Sequence, residues 1–167
     1  MSTFTGTNDY LLGRKNPITP DGAEVASMHF TLAMATADLD QNDIGPIGIL
    51  PAGCVPVSVY VDGTDMDSGG AAVIFQVGLG NLNLQDAAGA TSADLKNTLM
   101  STVAKDGGAA WGSTTAVNTA FQQQILSQPM TTVTAVDYDR YIIAKVTTAP
   151  STAVAGTLGL TLLYRNA

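Results

Sequence analysis

Large apolar residues occupy every second position from Met28 to Met34, where Met28, Phe30, Leu32 and Met34 alternate with His29, Thr31 and Ala33. A period of two is the pitch of a pleated strand, whose side chains point to opposite faces in turn. Such a segment folds as a strand with one buried face and one wet face. The rhythm returns at Leu158, Leu160, Leu162 and Tyr164. It returns again at Val55, Val57, Val59 and Val61, which predicts one valine face and a second face of Pro56, Ser58 and Tyr60. Pro56 has no N–H to give a ladder, so this strand is expected at a sheet edge or with a bulge.

Turn residues punctuate these runs. The segments DLDQND (38–43), Pro51-Ala52-Gly53, the acidic 62–70 stretch and Ala149-Pro150-Ser151 all break the chain between apolar runs. Further strands are expected at 44–50, 71–79, 131–136, 139–148 and 157–165. One short helix is predicted over 94–104, where Leu95, Leu99 and Val103 recur four apart between Ser92 as N-cap and Gly107 as stop. Residues 114–127 fit strand or helix equally. Many short strands between turns make a mainly β protein, an antiparallel β-sandwich or jelly roll. Residues 1–22 read differently. They are polar, carry Pro17 and Pro20, and hold one apolar knot of Tyr10, Leu11 and Leu12. They are expected to form an N-terminal arm, loose or laid on a neighbouring surface, ahead of one domain over 23–167. A chain of 167 residues buries enough surface to hold such a core without disulfide or metal.

The surface chemistry narrows the partners. Charged residues make up 13% of the chain, against about 25% in typical soluble domains. A surface of Thr, Ser, Ala and Gly repels neighbours weakly and suits a subunit whose faces are covered. The net charge of −7, with scattered Lys and Arg, argues against nucleic acid and against an anionic membrane surface, since both attract basic stripes. The sequence shows neither a secretory signal nor an apolar run of about 20 residues that would span a membrane. Synthesis in a reducing cytoplasm is expected. Cys54 stands alone, reading as a small buried hydrophobe.

Catalytic constellations are sparse. His29 is the single histidine, so a Ser–His–Asp or Cys–His site would have to use it. It falls on the polar face of its strand. One His and one Cys cannot fill the usual nitrogen and sulfur shell of zinc. Asp62, Asp65 and Asp67 form a weak calcium candidate, although their Asp-x-x-Asp-x-Asp spacing departs from an EF-hand and Asp and Gly favour turns for local reasons. The expectation is a chain without cofactor and without enzymatic activity. Trp111, in the glycine-rich 107–112 stretch, and Tyr138 are candidate interface anchors beside Tyr10, Leu11 and Leu12.

Two segments carry a resemblance. YIIAKVTTAP (141–150) followed by GTLGLTLLYR (156–165), together with LPAGCVPV (50–57) leading through the acidic loop into VGLG (77–80), resembles the head decoration, or cement, proteins of tailed bacteriophages. The resemblance covers residues 24–80 and 131–166 and departs over 81–130. It implies a β-sandwich on the outside of the virion capsid, commonly a homotrimer that grips the major capsid protein. It implies no catalytic residues. In such a setting the arm would reach across a subunit boundary and add a strand to a sheet edge. Two alternatives stay open: a tail, neck or fibre-base protein of the virion, and a carbohydrate-binding module with Trp111 and Tyr138 as stacking platforms.

Overall fold

The structure, a computed structural model, describes residues 8–22, 24–69, 73–80, 121–126 and 135–167. The strands among these are β1 (Val25–Met34), β2 (Ile44–Leu50), β3 (Cys54–Gly63), β4 (Ile74–Gly80), β5 (Phe121–Leu126), β6 (Arg140–Thr148) and β7 (Gly156–Asn166). They form two antiparallel sheets, one in the order β1-β7-β3-β5 and one in the order β2-β6-β4. Buried apolar residues of β1, β2, β3, β4, β6 and β7 share one core between the two sheets, so the chain is an antiparallel β-sandwich, the expected class.

β1 and β7 follow the period-two reading residue by residue. Met28 pairs with Leu162, Phe30 with Leu160 and Leu32 with Leu158, and all six are buried in one cluster with Val77, Phe75 and Ile142 of the facing sheet. Burying a Leu, Phe or Met side chain contributes about 1.5–3 kcal/mol, so this ladder is the main source of cohesion between the sheets. β6 differs in kind. Ile142, Ile143, Ala144, Lys145 and Val146 are all buried, because β6 lies between β2 and β4 and both of its faces are covered. Ile142, Ala144 and Val146 join the central core, while Ile143 packs with Ile44 and Tyr141 in a separate cluster. A continuous apolar run is the signature of a strand buried on both sides.

β3 corrects the valine reading. The register against β7 shifts between Pro56 and Ser58. An extra residue there reverses which face the following side chains take. Cys54 and Pro56 point inward ahead of the bulge, with Val55 and Val57 half-buried outside; after it Val59 and Val61 are the inward pair. Pro56 sits at the bulge of an internal strand flanked by β7 and β5.

Other boundaries move modestly. β3 runs on through Gly63, so Asp62 is a strand residue rather than a loop residue, and β4 starts at Ile74. Within the ambiguous 114–127 segment, Phe121–Leu126 is strand, and the rest of it lies outside the described residues. Of the strand expected over 131–136, only 135 and 136 are described, and they are irregular. The helix expected over 94–104, and Trp111, lie outside the described residues. A 3₁₀ turn at Thr36–Asp38, closed by the Asp38 carboxylate on the Ala35 N–H at 2.8 Å, joins β1 to the turn before β2.

Residues 8–22 of the expected arm lie along the chain's own sandwich. Asn8 Nδ2 donates to the Ile47 carbonyl of β2 at 2.8 Å, and the Tyr10 ring meets Phe30 of β1 edge-on at 5.1 Å between centroids. Farther along, the Tyr164 hydroxyl donates to the Ile18 carbonyl and Asn166 Nδ2 to the Pro20 carbonyl. Both sheets are thereby bound by one strap across the β1–β2 opening.

Candidate functional site

Three polar or exposed features stand outside the core, and each is built by the strand order. The first is the outer face of the four-stranded sheet. Because β1, β7 and β3 lie side by side, His29, Thr161 and Asp62 come together there. His29 Nδ1 is 2.9 Å from Thr161 Oγ1 and 4.0 Å from Asp62 Oδ2. A Cβ on Gly159 would collide with the Asp62 carboxylate, so the glycine is what seats that side chain. The three residue types suggest a relay, but the geometry does not make one. Thr161 and Asp62 both face the same ring nitrogen, whereas a proton relay needs the nucleophile on one nitrogen and the acid on the other. The histidine side chain is about half exposed on the outer sheet face, and among the described residues nothing closes over it. His29, with Phe30 and Thr31 of β1, forms one wall of an open cleft of about 300 Å³ whose other wall is the arm residues Asn8, Asp9, Tyr10 and Lys15.

The second feature is the loop end near Gly156. Of the three candidate calcium ligands, Asp62 lies on β3, while Asp65 and Asp67 lie in the loop after it. Asp65 caps the Asp67 N–H at 3.0 Å. Asp67, only 1% exposed, accepts the N–H groups of Gly69, Ser151 and Thr152 at 2.8–2.9 Å and the Ser151 hydroxyl at 3.1 Å. Burial works to raise its pKa, but those donors outweigh burial and hold the carboxyl below its ordinary value. The acid therefore acts as a clasp between the 64–69 loop and the β6–β7 loop. Among the described residues no group of three His, Cys, Asp or Glu side chains converges on a metal-sized site.

The third feature is the opposite end of the sandwich, around the last residues of β7. Asn166 pairs with Cys54, Ala167 N–H donates to the Gly53 carbonyl, and Gly53 N–H donates to the Val136 carbonyl at 2.7 Å. Cys54 itself is buried beside Asn166, and desolvation raises its pKa against the opposing pull of Arg140. That is the reverse of what a nucleophilic cysteine requires. Around this end Ile18 is 65%, Tyr138 54% and Val25 52% exposed. Leu12, on the arm, is 48% exposed, whereas Tyr10 is committed to the core. Leu11 is half-buried. Sequence reading singled out Tyr138 and missed Ile18 and Val25. The available signal was an apolar residue out of phase: Val25 shares the outer face of Ser27, His29 and Thr31, and Ile18 interrupts a polar arm.

No protein-family model matches the sequence, and no curated protein matches it. Two solved structures share the fold. A chain in the capsid of Ralstonia phage GP4 superposes with a TM-score of 0.70 and 22% identity, over 99% of this chain and 98% of that one. A chain in the capsid asymmetric unit of cyanophage Pam1 gives a TM-score of 0.53 and 15% identity over 90% of each chain. At these identities the likeness is one of fold. It extends over nearly the whole of each partner, so neither neighbour carries a large region that this chain lacks.

Proposed function

We propose that this chain is a structural protein of a bacteriophage virion, and within that class a head decoration protein that binds the outer surface of the capsid and stabilises it. The observation that carries the reading is the end-to-end fold match to a chain of a phage capsid. A match confined to a sandwich core would fit many β proteins, but here the arm, loops and strands all fall within the superposed length. The fold-level likeness joins the sequence resemblance to cement proteins over 24–80 and 131–166. The polar features agree with it: the histidine lies on the outer sheet face, the thiol is buried, and the buried acid is used to close a loop.

In this role the partner is the major capsid protein, and the chain acts as a trimer. Each weak contact with the shell is repeated by the other copies, so attachment is multivalent and needs no large single interface. The reading is tested by mixing the purified protein with shells of its phage assembled without it. Saturable binding, with shells made more resistant to heat or osmotic shock, is the expected result. Absence of binding at micromolar protein removes the decoration role. Light scattering of the free protein tests the trimer, with a monomer as the opposing outcome.

A further inference from the structure

The end of the sandwich around Asn166 combines features that no other described surface does. Among the described residues, Ile18, Val25 and Tyr138 are three of the five large hydrophobics that stand exposed, and pairing and backbone hydrogen bonds tie each of them to the end of β7. Val25 pairs with Arg165. Ile18 is held by the Tyr164 hydroxyl. Tyr138 follows the Val136 carbonyl bonded to Gly53, next to the Ala167–Gly53 bond. The remaining two, Leu12 and Val154, lie on the arm and on the β6–β7 loop at the far end.

The rim is acidic. Asp21, Glu24, Asp137 and Asp139 are exposed beside these residues. The carboxylates outnumber the cations at this end: Arg140 is half-buried and donates to the Cys54 carbonyl at 3.1 Å, and the exposed Arg165 donates to the carbonyl of its neighbour Asn166 at 2.9 Å. An apolar centre with a charged rim is the anatomy of a protein interface. A second copy docked face to face would set these carboxylates against themselves, and like-charge juxtaposition opposes that pairing.

We infer that this end is the docking surface for a different protein chain, one that offers an apolar depression rimmed by Lys and Arg. Resting on the reading above, that chain is the capsid shell, and the sandwich stands on it by the β7 terminus with the Asp67 clasp pointing away.

The test uses full-length protein and shells assembled without it. Tyr138→Asp and Ile18→Asp weaken binding more than about tenfold, the size expected when an anchor near the centre of an interface is removed. Asp137→Lys and Asp21→Lys each weaken it by a smaller factor, and wild-type binding falls as salt rises from 50 to 500 mM. Val154→Asp, at the far end, binds like wild type. All five positions are exposed, and an unchanged melting temperature shows that each variant is folded. Wild-type binding with undiminished Tyr138→Asp and Ile18→Asp overturns this assignment while leaving the decoration role intact. Failure of the wild type to bind removes both. Loss of self-association in Tyr138→Asp, seen by light scattering, also overturns it, because the occupant would then be another copy.

Discussion

Gly48 of β2 lies flat against the ring of Phe30 in β1: a Cβ on the glycine would come within 2.6 Å of Cδ2 and 2.9 Å of Cγ. The contact joins the edge strands of the two sheets. Phe30 is almost wholly buried, and the Tyr10 ring also packs on it at a steep interplanar angle of 75°. The ring therefore has little room in which to yield.

Gly48→Ala is expected to destabilise the fold by about 1–3 kcal/mol, the cost of overpacking a filled core. Thermal or urea unfolding measures it. The double variant Gly48→Ala, Phe30→Leu should recover part of the loss, since a smaller side chain at position 30 makes room for the methyl. A neutral Gly48→Ala would mean that the two sheets are not held at this spacing.

The Asp67 clasp gives an acid-dependent stability. Its carboxylate gathers three N–H groups and one hydroxyl from residues on both loops. Asp67→Asn keeps the shape but turns an amide N–H₂ toward donors, so a loss of about 2 kcal/mol is expected at pH 7. The folded-state pKa is depressed, so the charged form is favoured by folding. The contribution is present above the unfolded value of about 3.9 and disappears as pH falls through the folded value. Melting temperatures of wild type and Asp67→Asn should therefore differ at pH 7 and converge as the solution is acidified below about pH 4. A gap that stays constant with pH would show that the charge plays no part.

How much of this was legible in the sequence differs from strand to strand. β1 and β7 could be read residue by residue because nothing interrupts their alternation. β3 could not: its four valines keep perfect period two in sequence, yet the bulge beside Pro56 sends Val55 and Val57 outward and Val59 and Val61 inward. Pro56 signalled irregularity, but counting alone does not say on which side of it the phase changes. The order β1-β7-β3-β5 was invisible, since it pairs residues between 58 and 140 positions apart and no local rule chooses such partners. The same limit hid the His29–Thr161–Asp62 group, which exists only because β7 lies between β1 and β3. The Asp67 clasp was half legible. The acidic loop was read as a turn or a weak calcium candidate, and the partners at Ser151 and Thr152 come from another loop.

Cys54 offers a direct probe of the closed end of the sandwich. The side chain is fully buried, and desolvation pushes its thiol pKa up. Since the thiolate is the reactive form, the native protein at pH 8 should react with a disulfide reagent many times more slowly than the urea-unfolded chain. Arg140 donates to the Cys54 carbonyl and opposes the upward shift. Arg140→Ala removes that pull and so leaves less thiolate, but it also unlatches the 51–54 turn. Because access limits a buried thiol, the net expectation is a faster reaction. Equal rates for native and unfolded protein would place the thiol at the surface and contradict the packing of this end.

Tyr164 ties the strap to the sandwich, and its hydroxyl can be followed in two ways. Burial, with the nearby Cys54 and Tyr10 adding to it, pushes its pKa up to about 12. An ultraviolet titration of the folded protein should show a step near pH 12 that vanishes in Tyr164→Phe. The folded value lies above the unfolded value of about 10, so the native state holds its proton longer than the unfolded chain. Its contribution to stability is complete below about pH 10 and is lost as pH rises toward 12. The same substitution removes the donor to Ile18. A hydrogen bond of about 1 kcal/mol corresponds to roughly a fivefold change in an opening equilibrium. Lys15, exposed just ahead of Ile18, should then be cut by trypsin about fivefold faster in Tyr164→Phe, with the melting temperature lowered only slightly. Unchanged cleavage would mean that Asn8, Tyr10 and Asn166 hold the strap without it.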